Sequence, residues 1–367
     1  MMVQSGVFAV VAFVLGTIVG SFLNACIYRL PRNISLDKPR RSFCPHCQVM
    51  IPWYYNLPII SWLWLRGRCA KCGAPISPRY LLVELLTGFA FLGLWLEFHL
   101  PLAPVYSVFI ALLIVATFID FEHYIIPDEI TLGGAVAGVV CSALVPSLMG
   151  VTEHWKGALL SLLAAVLGAA VLWIVVELGK VAFGRKRFTP ESGESEAFVF
   201  EPDAEDPKLV LGDESLPWSE IFFRKTDKLI LECPQATLNG KAVAGEKICI
   251  FHDCILAGEK SVPVAEVREL KGKWTAVVIP REAMGFGDVK FLACIGAFLG
   301  WQAIFFTLIM SSVIGAVVGG GLMLATRGKE GGRIPFGPYL ALGAAIWVAC
   351  GPEAVRWYLH LLHGTPR

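Results

Sequence analysis

The sequence predicts an all-α polytopic membrane protein of about eight transmembrane helices, with a cytoplasmic zinc-ribbon-like loop and a small β-rich cytoplasmic insert. Three observations predict it. Apolar residues make up 56% of the 367-residue chain and charged residues 17%, with a mean hydropathy of +0.63, far from soluble averages. Apolar runs of membrane-spanning length recur along most of the chain. Two C-x2-C pairs share the hydrophilic stretch that follows the first run. The net charge of +1 supplies no basic field, so nucleic acid is not an expected partner.

The apolar runs fall at 6–28, 80–98, 103–121, 129–150, 156–183, 289–299, 301–326 and 337–361. The first lacks a basic leading segment and reads as a retained helix rather than a signal peptide. The sixth is short, and fits only if neighbours bury it or if it continues from the turn at Asp288. The run Gly315–Gly321 is expected to let helices approach closely. Arg29, Arg32, Lys38, Arg40, Arg41, Arg66, Arg68, Lys71 and Arg79 flank the first loop. Arg185–Arg187, Arg327, Lys329 and Arg333 fall on the same side if the spans alternate. The positive-inside rule then makes that loop, the 184–288 region and the 327–336 loop cytoplasmic, with both termini outside. Five segments follow: a first helix (1–28), a cytoplasmic zinc-binding loop (29–79), helices with a first carboxylate (80–183), a cytoplasmic linker and β-rich insert (184–283), and a G-x-G-D turn with the last helices (284–367).

Within the insert, the acidic stretch Glu191–Glu214 reads as a solvated linker. Glu220–Cys233, Lys247–Leu256 and pieces of Lys260–Pro280 read as strands, with Asn239–Gly240 as a turn. No chemistry is apparent there. Cys249, His252 and Cys254 fit alternating strand residues better than a metal site.

Cys44, Cys47, Cys69 and Cys72 have the spacing of paired zinc knuckles, and four thiolates close a tetrahedron without an open position. A structural zinc follows; iron and four free thiols are the alternatives, and His46 reads as a neighbour rather than a ligand. Cys26, Cys141, Cys294 and Cys350 read as small apolar helix residues.

Two carboxylates stand where hydrophobic runs meet water. Asp120, in I-D-F-E-H-Y-I-I-P-D, ends one run; Asp288, in M-G-F-G-D-V-K, begins another. A carboxylate there must be paired, solvated or used. Side by side, two carboxylates share a proton, and such a pair can drive water into a peptide carbonyl. Gly285 and Gly287 leave room for an extended substrate, and Lys290 offsets local negative charge. The alternative makes both aspartates interfacial helix caps. Glu84, Glu122, His123 and Asp128 are nearby polar candidates: Glu84 is functional or snorkels to the interface, and Asp128 reads as a helix start.

Several stretches together resemble one family. They are G-S-F-L-N-A-C-I-Y-R-L-P (Gly20–Pro31), W-Y-Y-N-L-P-I-I-S-W-L (Trp53–Leu63), L-R-G-R-C-A-K-C (Leu65–Cys72), I-S-P-R-Y-L-L-V-E-L-L-T-G (Ile76–Gly88), both aspartate motifs, and I-P-F-G-P-Y-L-A-L-G (Ile334–Gly343). They resemble the bacterial type IV prepilin leader peptidases and N-methyltransferases, membrane aspartyl proteases of the G-x-G-D type. The resemblance covers nearly everything outside 184–283. It implies cleavage of the basic leader of prepilins or type II secretion pseudopilins after a glycine, on the cytoplasmic face of the bacterial inner membrane. Methylation of the new N-terminal residue by S-adenosylmethionine would follow. The catalytic aspartates fall on Asp120 and Asp288, and the cysteine tetrad on Cys44, Cys47, Cys69 and Cys72. No separate methyltransferase motif stands out, and no residue can be assigned to the methyl donor. Glu122 stands where many relatives carry aspartate, which keeps a carboxylate. The insert replaces a short loop and reads first as passive; docking of substrate, pilus or secretion machinery, and control of access to Asp288, are the alternatives. Two other classes remain: an ion- or metal-coupled transporter using the same carboxylates, and a zinc-stabilised scaffold.

Overall fold

The structure is a computed structural model that describes residues 2–39, 41–183, 186–190, 195–202, 207–212, 214–222, 228–243, 247–258, 260–279, 285–325 and 335–363. Met284, Arg185 and most of the 327–336 loop lie outside the described residues. The chain divides into two units, Met1–Ile174 with Met284–Arg367, and Val175–Ala283.

In the first unit, α1 (Met2–Arg29) is followed by the cysteine loop, which holds the short α2 (Ile60–Trp64). Next come α3 (Arg79–Glu97), α4 (Leu102–His123), α5 (Asp128–Leu144) and α6 (His154–Phe183), whose residues from Val175 onward belong to the second unit. A four-residue helical turn, α7 (Trp218–Ile221), belongs to the insert. The chain then forms α8 (Phe286–Leu299), α9 (Trp301–Ala325) and α10 (Gly337–His363). Eight long helices therefore stand near the eight apolar runs. Among the described residues, six are long and apolar enough to cross a membrane by themselves: Gly6–Arg32, Arg79–Glu97, Leu102–His123, His154–Gly179, Trp301–Ala325 and Gly337–Tyr358. Six of the eight expected spans meet that criterion. With 17 and 14 residues, α5 and α8 fall short of the ~20 a span needs. Pro146 follows α5, and Gly300 at φ 79° ends α8.

The two short helices pack together. Ser142 of α5 and Ser161 of α6 both donate their hydroxyls to the Ala297 carbonyl of α8, at 3.4 and 2.6 Å. Phe291, Leu292, Cys294, Ile295 and Phe298 on α8 are fully buried. On the long helices, Val7, Phe8 and Val10 of α1 and Leu322, Met323 and Leu324 of α9 stay exposed, as faces toward hydrocarbon do. Gly20 brings α1 onto α3: a β-carbon there would lie 2.8 Å from the Glu84 Cα. In the run Gly315–Gly321, a β-carbon on Gly315 would lie 3.6 Å from the Tyr339 ring of α10, an ordinary contact, whereas Gly320 and Gly321 meet nothing within 4 Å.

The insert is a pair of antiparallel sheets. Its strands are β1 (Lys186–Phe188), β2 (Glu196–Glu201), β3 (Lys208–Leu211), β4 (Glu214–Pro217), β5 (Lys228–Glu232) and β6 (Gln235–Leu238). They continue as β7 (Lys241–Ala242), β8 (Lys247–Phe251), β9 (Cys254–Ala257), β10 (Lys260–Pro263), β11 (Leu270–Trp274) and β12 (Ala276–Ile279). One sheet runs β1-β12-β5-β8-β9-β10 and the other β4-β3-β2-β11-β6-β7. Alternation in K-L-I-L-E and K-I-C-I-F turns Leu229, Leu231, Ile248 and Ile250 inward, where they meet Phe198, Phe200 and Leu209 of the second sheet. The Asn239–Gly240 turn has φ of 49° and 77° and joins β6 to β7, as the N-G pair predicts. The Glu191–Glu214 linker is a correction: its described residues include β2 and β3, with Phe198, Phe200, Leu209 and Leu211 in the core. Burial pushes the Cys233 thiol up to about 11, so it is an inert core group.

Candidate active site and cysteine centre

Asp120 lies in the last turn of α4 and is buried. The helix stops because Tyr124 adopts the left-handed conformation (φ 54°) and donates its N–H to the Asp120 carbonyl at 2.9 Å. Extended backbone at Pro127 then starts α5. Asp128, in the first turn of α5, turns its carboxylate to Lys290 of α8, whose Nζ donates at 2.6 Å. That assigns Lys290 a specific partner.

Asp288 is buried in the first turn of α8, whose N-cap is Gly285 at extended angles. No side chain caps this helix, so Asp288 is not its N-cap. Instead its carboxylate sits at the positive end of the α8 dipole. Ile126, between α4 and α5, lies against both neighbouring glycines. A β-carbon on Gly287 would be 3.5 Å from the Ile126 Cβ, and one on Gly337 would be 2.9 Å from its Cδ1. Gly337, the first residue of α10, donates its N–H to Asp120 Oδ2 at 3.0 Å. Any side chain there would set a β-carbon 2.5 Å from that oxygen. The ends of α4, α8 and α10 thus meet around Ile126. Gly337 carries no local signal of this role in the sequence, where I-P-F-G-P stands out only as part of the family resemblance.

The other polar candidates have structural partners. Glu122 forms an ion pair with Arg79 of α3. His123 stands 4.0 Å from Glu122. Glu84 does not snorkel: it is 7% exposed, and its Oε2 accepts the Ile59 N–H at 2.7 Å. Ile59 is strained, with φ 63° and ψ −55°, and Ile60 N–H bonds back to the Pro58 carbonyl at 2.6 Å. Glu84 therefore pins the cysteine loop to α3.

The four cysteines form two matching knuckles. Cys44 N–H bonds to Val49 O and Gln48 N–H to Cys44 O; Cys69 N–H bonds to Ala74 O and Gly73 N–H to Cys69 O. Gln48 (φ 57°) and Gly73 (φ 70°) supply the same left-handed turn after each pair. The four Sγ atoms lie within 4.8 Å of one another, and Cys44 and Cys72 stand 3.8 Å apart. A tetrahedral site with metal–sulfur bonds of about 2.3 Å has sulfur–sulfur edges of about 3.8 Å, so the residues fit a metal. The Cys72 and Lys71 backbone N–H groups pull the Cys69 thiol down to about 6, favouring the thiolate a metal takes. His46 is exposed and outside this cluster.

A profile described as Bacterial Peptidase A24 N-terminal domain matches residues 14–98, and one described as Type IV leader peptidase family matches 107–186 and 242–320. A prepilin leader peptidase/N-methyltransferase of Aeromonas hydrophila is 30% identical over 375 aligned residues, covering 95% of this chain and 92% of the relative. The chain belongs to the type IV leader peptidase family. A relative of the same name from Myxococcus xanthus is 48% identical over 134 residues, 36% of this chain and 39% of the relative. Another, from Stutzerimonas stutzeri, is 26% identical over 96% of this chain and 94% of the relative. No solved structure matches. As a member of this family the chain is a bifunctional enzyme, a leader peptidase and N-methyltransferase. Both aspartates fall inside the leader peptidase match, and the four cysteines and Glu84 inside the N-terminal one. Gly337 and the insert's 187–241 stretch fall outside both.

Proposed function

We propose that this leader peptidase cuts the basic leader from type IV prepilins or type II secretion pseudopilins at the cytoplasmic face of the bacterial inner membrane, using Asp120 and Asp288 as its catalytic pair. The observation that carries the reading is the meeting of α4, α8 and α10 around Ile126, which brings two buried carboxylates from distant parts of the chain to one neighbourhood. One aspartate takes a proton from water as the oxygen attacks the scissile carbonyl; the other donates its proton to the leaving nitrogen. The carbon–nitrogen bond breaks, giving a leader carboxylate and a free amine. The Gly337 N–H holds the Asp120 carboxylate in a fixed orientation. Gly285 and Gly287 leave the space for an extended substrate beside Asp288. The short α5 and α8 are proposed to complete eight membrane helices, shielded by the six longer ones. The excess of Lys and Arg in 29–79 supports the cytoplasmic placement of the aspartates.

Cys44, Cys47, Cys69 and Cys72 would hold a structural zinc, giving a zinc-ribbon-like loop. S-adenosylmethionine, when bound, would supply the methyl group for the freed amine, leaving S-adenosylhomocysteine and a proton. The test is product mass: purified enzyme, prepilin, and S-adenosylmethionine present or absent. A leader-sized loss plus a methyl gain is expected. Asp120→Asn and Asp288→Asn should each abolish the leader loss; full-rate processing by either variant would sink the pair.

A further inference from the structure

A cavity of about 630 Å³ opens between α1, the cysteine loop and α3, within the range of small-molecule sites. The peptidase chemistry does not use it, because neither Asp120 nor Asp288 lines it. Glu84 is its buried carboxylate, with Ser21 beside it. Its Oε2 holds Ile59, and a carboxylate has further lone pairs to offer. Tyr28, Phe43, Trp62 and Tyr80 give it aromatic walls, and Arg79 and Glu122 also line it. Two donors in that wall, Trp62 Nε1 and Arg79 Nε, are buried without a hydrogen-bond partner. Buried donors are rarely left so, and these two point to a ligand with acceptors.

The lining selects a chemistry. A lipid tail would leave Glu84 and both orphan donors unanswered. A polyphosphate would meet the carboxylates of Glu84 and Glu122, with the exposed Lys71 as its one uncommitted cation among the described lining residues. The Arg29 guanidinium is spent on the Ser35, Leu36 and Arg41 carbonyls, and Arg32 lies over Tyr28 and bonds to its carbonyl. A purine stacks on aromatic rings, a ribose diol donates to a carboxylate, and an amino-acid carboxylate accepts from a guanidinium. A sulfonium is attracted to aromatic faces. Glu122 lies two residues beyond Asp120 on α4, about 3 Å farther along the axis and turned toward α3, so the cavity adjoins the opposite side of the helix that carries Asp120.

We propose that this cavity is the S-adenosylmethionine site, with Glu84 receiving the ribose hydroxyls and Arg79 and Trp62 the acceptors of the amino-acid and purine ends. The assignment rests on the methyltransferase activity of the chain. Its test is a titration of the full-length protein in detergent with S-adenosylhomocysteine, the unreactive product, alongside leader cleavage of a prepilin. Wild type should bind; Glu84→Gln should weaken binding at least tenfold, and Trp62→Phe, which keeps a ring but removes the donor, several-fold. Unchanged affinity in both variants overturns the site while leaving methylation intact. Wild type that cleaves leaders but binds no S-adenosylhomocysteine overturns the methyltransferase reading and the site with it. Hydrogen exchange of wild type, with and without S-adenosylhomocysteine, covers variants that fail to fold. Protection of 42–62 and 79–84 supports the site, and protection confined elsewhere refutes it.

Discussion

Gly337 shows how much a single backbone approach can carry. Its N–H reaches the Asp120 carboxylate at 3.0 Å because it has no side chain to intervene. Gly337→Ala should push that carboxylate aside. A displacement near 1 Å costs about 100-fold in rate, so cleavage should fall by about that factor while the melting temperature stays within a few degrees. An equal collapse of stability would mean that Gly337 packs α10 rather than positions Asp120. That both aspartates need a buried polar setting was legible, because a lone carboxylate at the end of an apolar run has few inexpensive explanations. Gly337 was not legible, since its role joins residues 217 positions apart and leaves no local pattern. The partners of Glu122 and Asp128 escaped for the same reason: each ion pair crosses between helices distant in the chain.

Among the elements, the cysteine loop was the easiest to read and the acidic stretch before β5 the hardest. The C-x2-C spacing fixes two knuckles whatever surrounds them, and the structure shows both with the same hydrogen bonds. In E-A-F-V-F-E the outward positions and flanking turns carry the acids while Phe198 and Phe200 turn in, so composition pointed to a linker where the period of two pointed to a strand. A chelator strong enough to strip zinc should release one equivalent and make 42–77 sensitive to protease, as should Cys69→Ser. Metal analysis and limited proteolysis read this directly. An intact loop after complete metal loss would show that Glu84 and the packing of α1 on α3 hold it alone. Within the insert, Leu231→Ala empties a fully buried position between sheets and should cost about 2–5 kcal/mol of its stability, measured by denaturant unfolding.

For the whole molecule, hydropathy located every long helix, but it could not say which cross the membrane unaided. α5 and α8 are too short to do so, and they are also the helices that follow Asp120 and carry Asp288. The charge rule predicts that a thiol placed at Lys247→Cys reacts with a membrane-impermeant reagent only from the cytoplasmic side; labelling of intact cells from outside would invert the topology. The insert should be removable. β1 and β12 pair antiparallel, Lys186 opposite Ile279, so its ends are about 5 Å apart and a short Gly-Ser bridge can replace 186–279. Leader cleavage by that variant should stay within about threefold of wild type, and a larger loss would give the insert a part in substrate docking.

The same strand pairing has a consequence for how the chain is made. Asp120 leaves the ribosome with α4, well before Asp288, and everything between them must be stored without separating the halves of the site. An unstructured stretch of about 90 residues would oppose their meeting by about 4 kcal/mol of closure entropy. Once β1 and β12 pair, the insert's own core has already met that entropy, and α8 returns on a tether of a few residues. Closure of the insert on itself therefore removes most of the chain entropy that opposes the meeting of α4 and α8.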